Sequence, residues 1–259
     1  MIDVLRNRLR ELDRVAVAFS GGADSAFLAW VANDTLGPDR VLAVTAISPS
    51  LAAEEAADCA ALAQEWGLRW SPVDTDELAR PDYVANGTDR CFHCKTELMD
   101  AVGPLAAAEG ATVVLGVNVD DLGDHRPGQQ AAGERGAVFP LVDAGFTKAD
   151  VRRVSQELGL RTWDKPAAAC LASRIPYGTP VTLTTLTGVG RAEAALHALG
   201  FRQVRVRHHG EVARIEVELD ELAAVVGRRA EVVTAVKGAG YRWVAVDLEG
   251  FRSGNLNPR

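Results

Sequence analysis

VAVAFSGGADS, residues 15–25, decides the fold of this 259-residue chain. VAVAF is a continuous apolar run, which reads as a strand buried on both faces. Gly21 and Gly22 break it, and the apolar ADSAFLAW stretch that follows reads as a helix from about Asp24 to Asn33. Strand, glycine turn and helix recur on either side. Val4, Leu5, Leu9 and Leu12 mark one face of a short opening helix. VLAVTAI (41–47) is a second buried strand, followed by an alanine-rich helix over 52–66 that Gly67 stops. A short strand over 69–73, a helix over 90–109 ended by Gly110, and TVVLGV (112–117) complete the series. Buried strands separated by helices predict an α/β fold with a parallel sheet covered on both faces.

Beyond residue 117 the pattern loosens. Residues 118–136 are polar, rich in Gly and Asp, and without periodicity, so a long loop is expected. Thr147 with Asp150 three residues on signals a helix start, and Gly159 its end. TWDKPAAACLASRIPYGTPVTLT (162–184) carries Pro166, Pro176, Gly178 and Pro180 and reads as a junction. After it come a helix (185–199), two alternating strands (202–208 and 213–219) hinged at Gly210, a helix (220–236) and a last strand (241–247). The expected division is a nucleotide-type α/β domain over 1–165, a junction over 166–184 that carries Cys170, and a small C-terminal α+β domain over 185–259.

The composition narrows the function. A formal net charge of −7 and a pI near 5.3 argue against a protein that wraps nucleic acid by bulk electrostatics. MIDVLRNRLRELDR at the N-terminus lacks a signal-type apolar segment, and no apolar run approaches the roughly 20 residues of a membrane span. A soluble, cytoplasmic protein is expected, with four cysteines serving as ligands, thiols or core rather than as a disulfide framework.

SGGADS has the physics of a phosphate cradle. Gly21 and Gly22 let the backbone present N–H groups, the following helix points its positive end at the same spot, and Ser20 and Ser25 add hydroxyls. Asp24 can hold a magnesium ion. The loop has no GK[ST], so it is not a Walker loop. The string resembles the pyrophosphate (PP) loop of N-type ATP pyrophosphatases. That resemblance implies a loop that binds the ATP triphosphate, with Thr45, Ala46 and Gly116 at strand ends flanking the adenosine.

The cysteines divide. Cys59 is in phase with Leu62 and Trp66 on the alanine-rich helix and reads as a small core residue. Cys91 and Cys94 form CFHC, which suits half a zinc site, a redox pair or a coincidence. Cys170 lies near Ser173 and Arg174 and reads either as an activated nucleophile or as a buried loop thiol. Three thiolates can also hold three irons of a [4Fe–4S] cluster and leave the fourth open to carry sulfide. Arg205 and Arg207, two apart on one strand, share a face and can converge on one phosphate.

GVNVDDLGDHRPG (116–128), WDKPAAACLASRIPYGTPVT (163–182), RVRHHGEVARIE (205–216) and DLEGFRSGNLN (247–257) occur in order and together resemble the LarE family. With SGGADS they reach across most of the chain. The resemblance implies an ATP-dependent sulfur transferase in the making of the nickel-pincer nucleotide of lactate racemase. Its substrate would be a small pyridinium biscarboxylate mononucleotide, adenylated on a carboxylate and then converted to a thiocarboxylate. One version of the family sacrifices the sulfur of the cysteine matching Cys170. The presence of Cys91 and Cys94 matches the version in which three cysteines hold an iron–sulfur cluster. Arg205 and Arg207 match the substrate-phosphate site, and Ser173, Arg174 and Glu193 match further substrate-pocket positions. Among the loop carboxylates, Asp120, Asp121 or Asp124 would assist Asp24 with magnesium. The expected partners are that small molecule and further copies of the chain in a homo-oligomer, with no nucleic acid and no membrane. A tRNA-thiolating enzyme with the same loop and a non-catalytic adenine-nucleotide sensor with a structural zinc are the competing readings.

Overall fold

The computed structural model describes residues 1–123, 127–166 and 169–252. The chain divides into two compact units. The first comprises residues 1–48, 53–77 and 89–168; the second gathers 49–52, 78–88 and the chain from 169 onward.

The first unit follows the predicted alternation. Its elements are α1 (Ile2–Leu12), β1 (Val15–Ala18), α2 (Ala23–Leu36), β2 (Val41–Ile47), α3 (Ala53–Glu65) and β3 (Trp70–Asp74). After α4 (Pro81–Val84), which belongs to the second unit, come α5 (Arg90–Ala108) and β4 (Thr112–Leu115). The strands form one parallel sheet in the order β3-β2-β1-β4. Successive side chains on β1 point to opposite faces and found two cores. Val15 and Val17 join Leu5, Phe27, Leu62 and Phe146 on one side. Ala16 joins Val44, Leu98, Met99 and Val102 on the other. α2 is buried at Ala26, Phe27, Leu28, Ala29, Val31 and Ala32, so it packs around most of its circumference. This pins its N-terminal end against the carboxyl ends of the strands.

One expectation is corrected here. The stretch 118–136 is not a featureless loop: α6 (Pro127–Glu134) lies in it and packs along α5, with Ala131 and Ala132 fully buried. Its buried positions, Gly128, Ala131 and Ala132, have helical spacing but are glycine and alanine, too weakly apolar to stand out as a hydrophobic period. α7 (Pro140–Asp143) and α8 (Lys148–Glu157) follow. α8 starts on the anticipated capping box: Thr147 Oγ1 accepts from the Asp150 N–H at 3.1 Å, and the Asp150 carboxylate accepts from the Thr147 N–H at 3.2 Å.

The second unit contains α9 (Leu183–Ala198), β5 (Val204–His209), β6 (Val212–Val217), α10 (Leu222–Gly227), α11 (Arg229–Gly238) and β7 (Trp243–Val246). β5 and β6 form the expected antiparallel hairpin around Gly210, which has φ +63°, and β7 adds in parallel to β6. The helix expected over 220–236 is two helices, broken at Arg228. Residues 78–88 are tied in by Asn86, whose side-chain amide donates to the carbonyls of Pro176 (2.9 Å) and Thr179 (2.8 Å). Among the described residues no helix is long and apolar enough to cross a membrane.

Candidate active site

The nucleotide loop is built from β1 outward. The Phe19 N–H still bonds to Val44 O at 2.8 Å, holding the chain in the sheet up to the turn. Ser25 Oγ accepts from the Ser20 N–H (3.2 Å), lies 3.0 Å from Ser20 Oγ and donates to Gly22 O (3.2 Å), closing the loop on itself. Gly21 has φ +67°, where an L side chain is strained, and a Cβ there would lie 2.9 Å from Cys59 Sγ. Cys59 is wholly buried under the loop, and burial pushes its thiol up to about 11. It is core, and chemically inert near neutrality.

Ala46 is half-buried near the end of β2. Its neighbour Thr45 donates to Phe19 O at 2.7 Å and accepts from Trp70 Nε1 at 2.9 Å. Gly116 follows β4 and meets the first turn of α2 backbone to backbone, since a Cβ at 116 would stand 2.7 Å from Ser25 N and 2.8 Å from Asp24 C. Neither atom can rotate away. Gly116→Ala is therefore expected to cost about 1–3 kcal/mol of stability and to push the start of α2 out of place. A urea midpoint and nucleotide affinity that both match the parent would contradict this.

Asp24 sits in a polar cluster that sequence reading only partly anticipated. Lys148 Nζ forms an ion pair with its carboxylate, and Asn118 Nδ2 donates to Asp24 Oδ1 at 3.3 Å. Asp120 accepts from the Lys148 N–H at 2.8 Å, and Asp121 from the Asn118 N–H at 3.1 Å. Both are engaged by the backbone, and Asp124 lies outside the described residues. Sequence reading misses Asn118 and Lys148. The capping box at Thr147 was the available signal for Lys148, because it fixes Lys148 at the first helical position.

In the second unit, Ser173, Arg174, Glu193, Arg205 and Arg207 come together. Arg174 and Glu193 form a buried bidentate pair, Nε to Oε1 at 2.9 Å and Nη2 to Oε2 at 2.8 Å. Glu193 is 4% exposed, so it is no surface helix carboxylate, and its Oε1 also accepts the Val206 N–H at 2.8 Å. Arg174 Nη1 donates to Ser173 Oγ (2.8 Å), Ala169 O (2.7 Å) and Cys170 O (3.2 Å). Its guanidinium thus reaches the carbonyl of Cys170. Arg207 donates to Glu216 (2.6 and 2.9 Å) and to Ser173 O (3.0 Å). Arg205 is buried, lies over the Phe251 ring at 5.3 Å and donates to Val204 O at 2.8 Å. Burial first, and then the nearby positive charge of Arg174, pull its pKa down to about 10. Sequence reading missed Glu216, which is fully buried and also binds Arg214 at 3.1 Å. Alternation with Ile215 and Val217 reads it as a solvent-facing position; the hairpin register, which sets Glu216 opposite Arg205, is what the sequence leaves open. Three buried guanidinium groups and two buried carboxylates are thus held together at fixed geometry.

Cys91 (exposed) and Cys94 (half-buried) lie in the opening turns of α5 in the first unit. Cys170 is half-buried in the second unit, at the N-cap of the 3₁₀ turn Leu171–Arg174. Among the described residues no three His, Cys, Asp or Glu side chains stand together as a metal site. The donor set itself suits iron–sulfur chemistry, being all thiol, and none of the three is locked in the core as Cys59 is.

A parallel sheet with a Ser-Gly-Gly loop leading from its first strand into a helix, joined to a small mixed-sheet unit, places the protein among the PP-loop enzymes. Residues 1–88 match the NAD synthase family model. Over 259 residues the chain is 48% identical to an uncharacterised Synechocystis protein, covering 99% of this chain and 96% of the relative. Over 251 residues it is 40% identical to the pyridinium-3,5-bisthiocarboxylic acid mononucleotide synthase of Lactiplantibacillus plantarum, covering 96% of this chain and 91% of that enzyme. A Methanocaldococcus jannaschii protein is 25% identical over 253 residues, covering 96% of each chain. The chain belongs to the family of the Lactiplantibacillus synthase, the LarE family.

Proposed function

We propose that this enzyme is an ATP-dependent, AMP-forming sulfurtransferase. It adenylates a carboxylate of pyridinium-3,5-biscarboxylic acid mononucleotide and inserts sulfur to give a thiocarboxylate, in biosynthesis of the nickel-pincer nucleotide cofactor of lactate racemase. The observation that carries this reading is the Ser20–Ser25 loop at the carboxyl end of β1, closed by the Ser20–Ser25 hydroxyl contact and followed by the positive end of a buried helix.

A carboxylate is a poor electrophile, so activation precedes sulfur transfer. A carboxylate oxygen of the substrate attacks the α-phosphorus of ATP, the α–β anhydride bond breaks, and pyrophosphate leaves. Ser20, Gly21, Gly22 and Ser25 bind the triphosphate, Ala46 and Gly116 flank the adenosine, and Asp24 would hold Mg2+. A sulfur nucleophile then attacks the acyl carbon, the acyl–oxygen bond breaks, and AMP leaves with the electron pair. Arg205 and Arg207 grip the substrate phosphate, with Ser173, Arg174 and Glu193 completing the pocket. Cys91, Cys94 and Cys170 would hold a [4Fe–4S] cluster, which when bound supplies the transferred sulfur at its open iron. The protein works in the cytoplasm as a homo-oligomer, on this small molecule and not on nucleic acid.

The test is made on anaerobically purified protein. Pyrophosphate release from ATP is expected only when the biscarboxylate mononucleotide is present, and about four irons per chain are expected with matching sulfide. Release that ignores the mononucleotide would overturn the substrate assignment. Colourless protein that acquires dehydroalanine at Cys170 after turnover would replace the cluster by a sacrificial cysteine.

A further inference from the structure

The loop that is to bind a triphosphate contains no lysine, and two carboxylates on α3 share a cation with it. Lys165, 144 positions further along the chain than Gly21, joins the Gly21 carbonyl to Glu55 and Asp58. Its ammonium donates to Gly21 O (3.1 Å), Glu55 Oε2 (2.8 Å) and Asp58 Oδ2 (2.6 Å). An ammonium has three donors, so these bonds use all of them. The side chain is only 15% exposed. Burial works against its charge, yet the bonds to Asp58 and Glu55 outweigh burial and hold its pKa above the usual lysine value. Arg161 supports the arrangement by pairing with Asp58 at 2.7 Å and with Glu65 at 2.8 Å.

Two consequences follow from this geometry. The Gly21 carbonyl and the Gly22 N–H belong to one trans peptide unit, in which they point in opposite directions. A carbonyl held by Lys165 therefore turns the Gly22 N–H away from Glu55 and Asp58. Gly21 is the residue least able to hold this orientation unaided, because its backbone is the most permissive. The second consequence is electrostatic: without the ammonium, two carboxylates would face the loop, with only Asp58 balanced by Arg161.

We propose that Lys165 is the positioning residue of the phosphate loop: it fixes the Gly21–Gly22 peptide with its N–H turned toward the phosphates, and it screens the triphosphate from Glu55 and Asp58. This rests on the reading of Ser20–Ser25 as a triphosphate site.

Equilibrium binding of a non-hydrolysable ATP analogue with magnesium, and of AMP, separates the two ideas. The parent protein is expected to bind the analogue; if it does not, the triphosphate site and the role of Lys165 fall together. Lys165→Ala is expected to weaken the analogue about tenfold with AMP little changed, and Lys165→Arg to restore most of the loss. Parent-like affinity for the analogue in Lys165→Ala, or an equal loss for AMP, overturns the role of Lys165 and leaves the site standing. Because Lys165→Ala leaves two carboxylates unpartnered by it and can unfold the loop, Glu55→Gln combined with Asp58→Asn supplies an independent arm. There Lys165 keeps its bond to Gly21 and its charge is released toward the phosphates, so the analogue is expected to bind more tightly. Unchanged or weaker binding in this variant overturns the screening role.

Discussion

Cys170→Ala is expected to release about one pyrophosphate per chain from ATP in the presence of the biscarboxylate mononucleotide, and to form no thiocarboxylate. Activation and sulfur transfer draw on different residues, which is why the two should separate. The groups assigned to the triphosphate lie in the first unit, on the loop between β1 and α2. Those assigned to the substrate phosphate are Arg205 and Arg207 on β5. Cys170 contributes to that pocket through its backbone: its carbonyl accepts from Arg174 Nη1 at 3.2 Å and from the Ser173 N–H at 2.9 Å. Alanine keeps both bonds. The lost sulfur is half-buried, so the fold should be weakened by no more than about 1 kcal/mol. Adenylation then proceeds once, and the acyl adenylate waits for a nucleophile that the variant cannot supply. Pyrophosphate is read by a coupled assay and the thiocarboxylate by its mass. Parent-like product formation would remove Cys170 from sulfur transfer, whether as sacrificial donor or as cluster ligand. Absence of the single pyrophosphate would mean that the thiol is needed before transfer.

The parts of the molecule legible in the sequence are those where one physical signal dominates. VAVAF has no polar position and VLAVTAI only Thr45, so a strand covered on both faces is the simple reading, and β1 and β2 lie in the middle of the parallel sheet. The capping box at Thr147 fixed a helix start to the residue. α6 is not legible because its buried face is made of Gly128, Ala131 and Ala132, which carry little hydrophobic signal, and α4 and α7 are four residues each, too short for periodicity to exist. Site residues followed the same division. Ser20 to Ser25 are contiguous, and Arg205 and Arg207 are two apart on a strand, so local spacing reveals them. Asn118, Lys148 and Lys165 reach the loop from 94, 124 and 144 residues away, and chain separation leaves no local trace. Glu193 carries the general lesson most clearly: resemblance sets it in the pocket, but helix spacing alone fits a surface carboxylate equally well, and only the fold shows it buried against Arg174. The second unit, likewise, gathers residues 49–52 and 78–88 from within the first unit's sequence, an arrangement that hydrophobic patterning cannot disclose.

Glu193→Ala is expected to lower stability by about 3–5 kcal/mol, the usual cost of removing one partner from a buried ion pair. The variant would leave Arg174, 3% exposed, without its bidentate carboxylate, and would strip the Val206 N–H of its acceptor. Arg174 would keep the carbonyls of Ala169 and Cys170 and the hydroxyl of Ser173, so its donors are not all orphaned; its charge is what loses compensation. Arg205 worsens the balance, because Arg174 and Arg207 both act against its charge while Glu193 and Glu216 favour it. Removing Glu193 brings two buried guanidinium groups into less screened repulsion. Glu193→Gln keeps the shape and part of the hydrogen bonding, and its cost should fall between alanine and the parent. The exposed pair Arg228–Glu231, at 39% and 54% side-chain exposure, is the control, since water already screens it. Glu231→Ala should barely move the urea midpoint. Hydrogen exchange gives the local readout: the Val206 amide should exchange much faster in Glu193→Ala, with the amides of β1 unchanged. If Glu193→Ala proved no more costly than Glu231→Ala, the carboxylate would not be what holds the buried arginines in place, and the proposed substrate-phosphate pocket would have to rest on Glu216 alone.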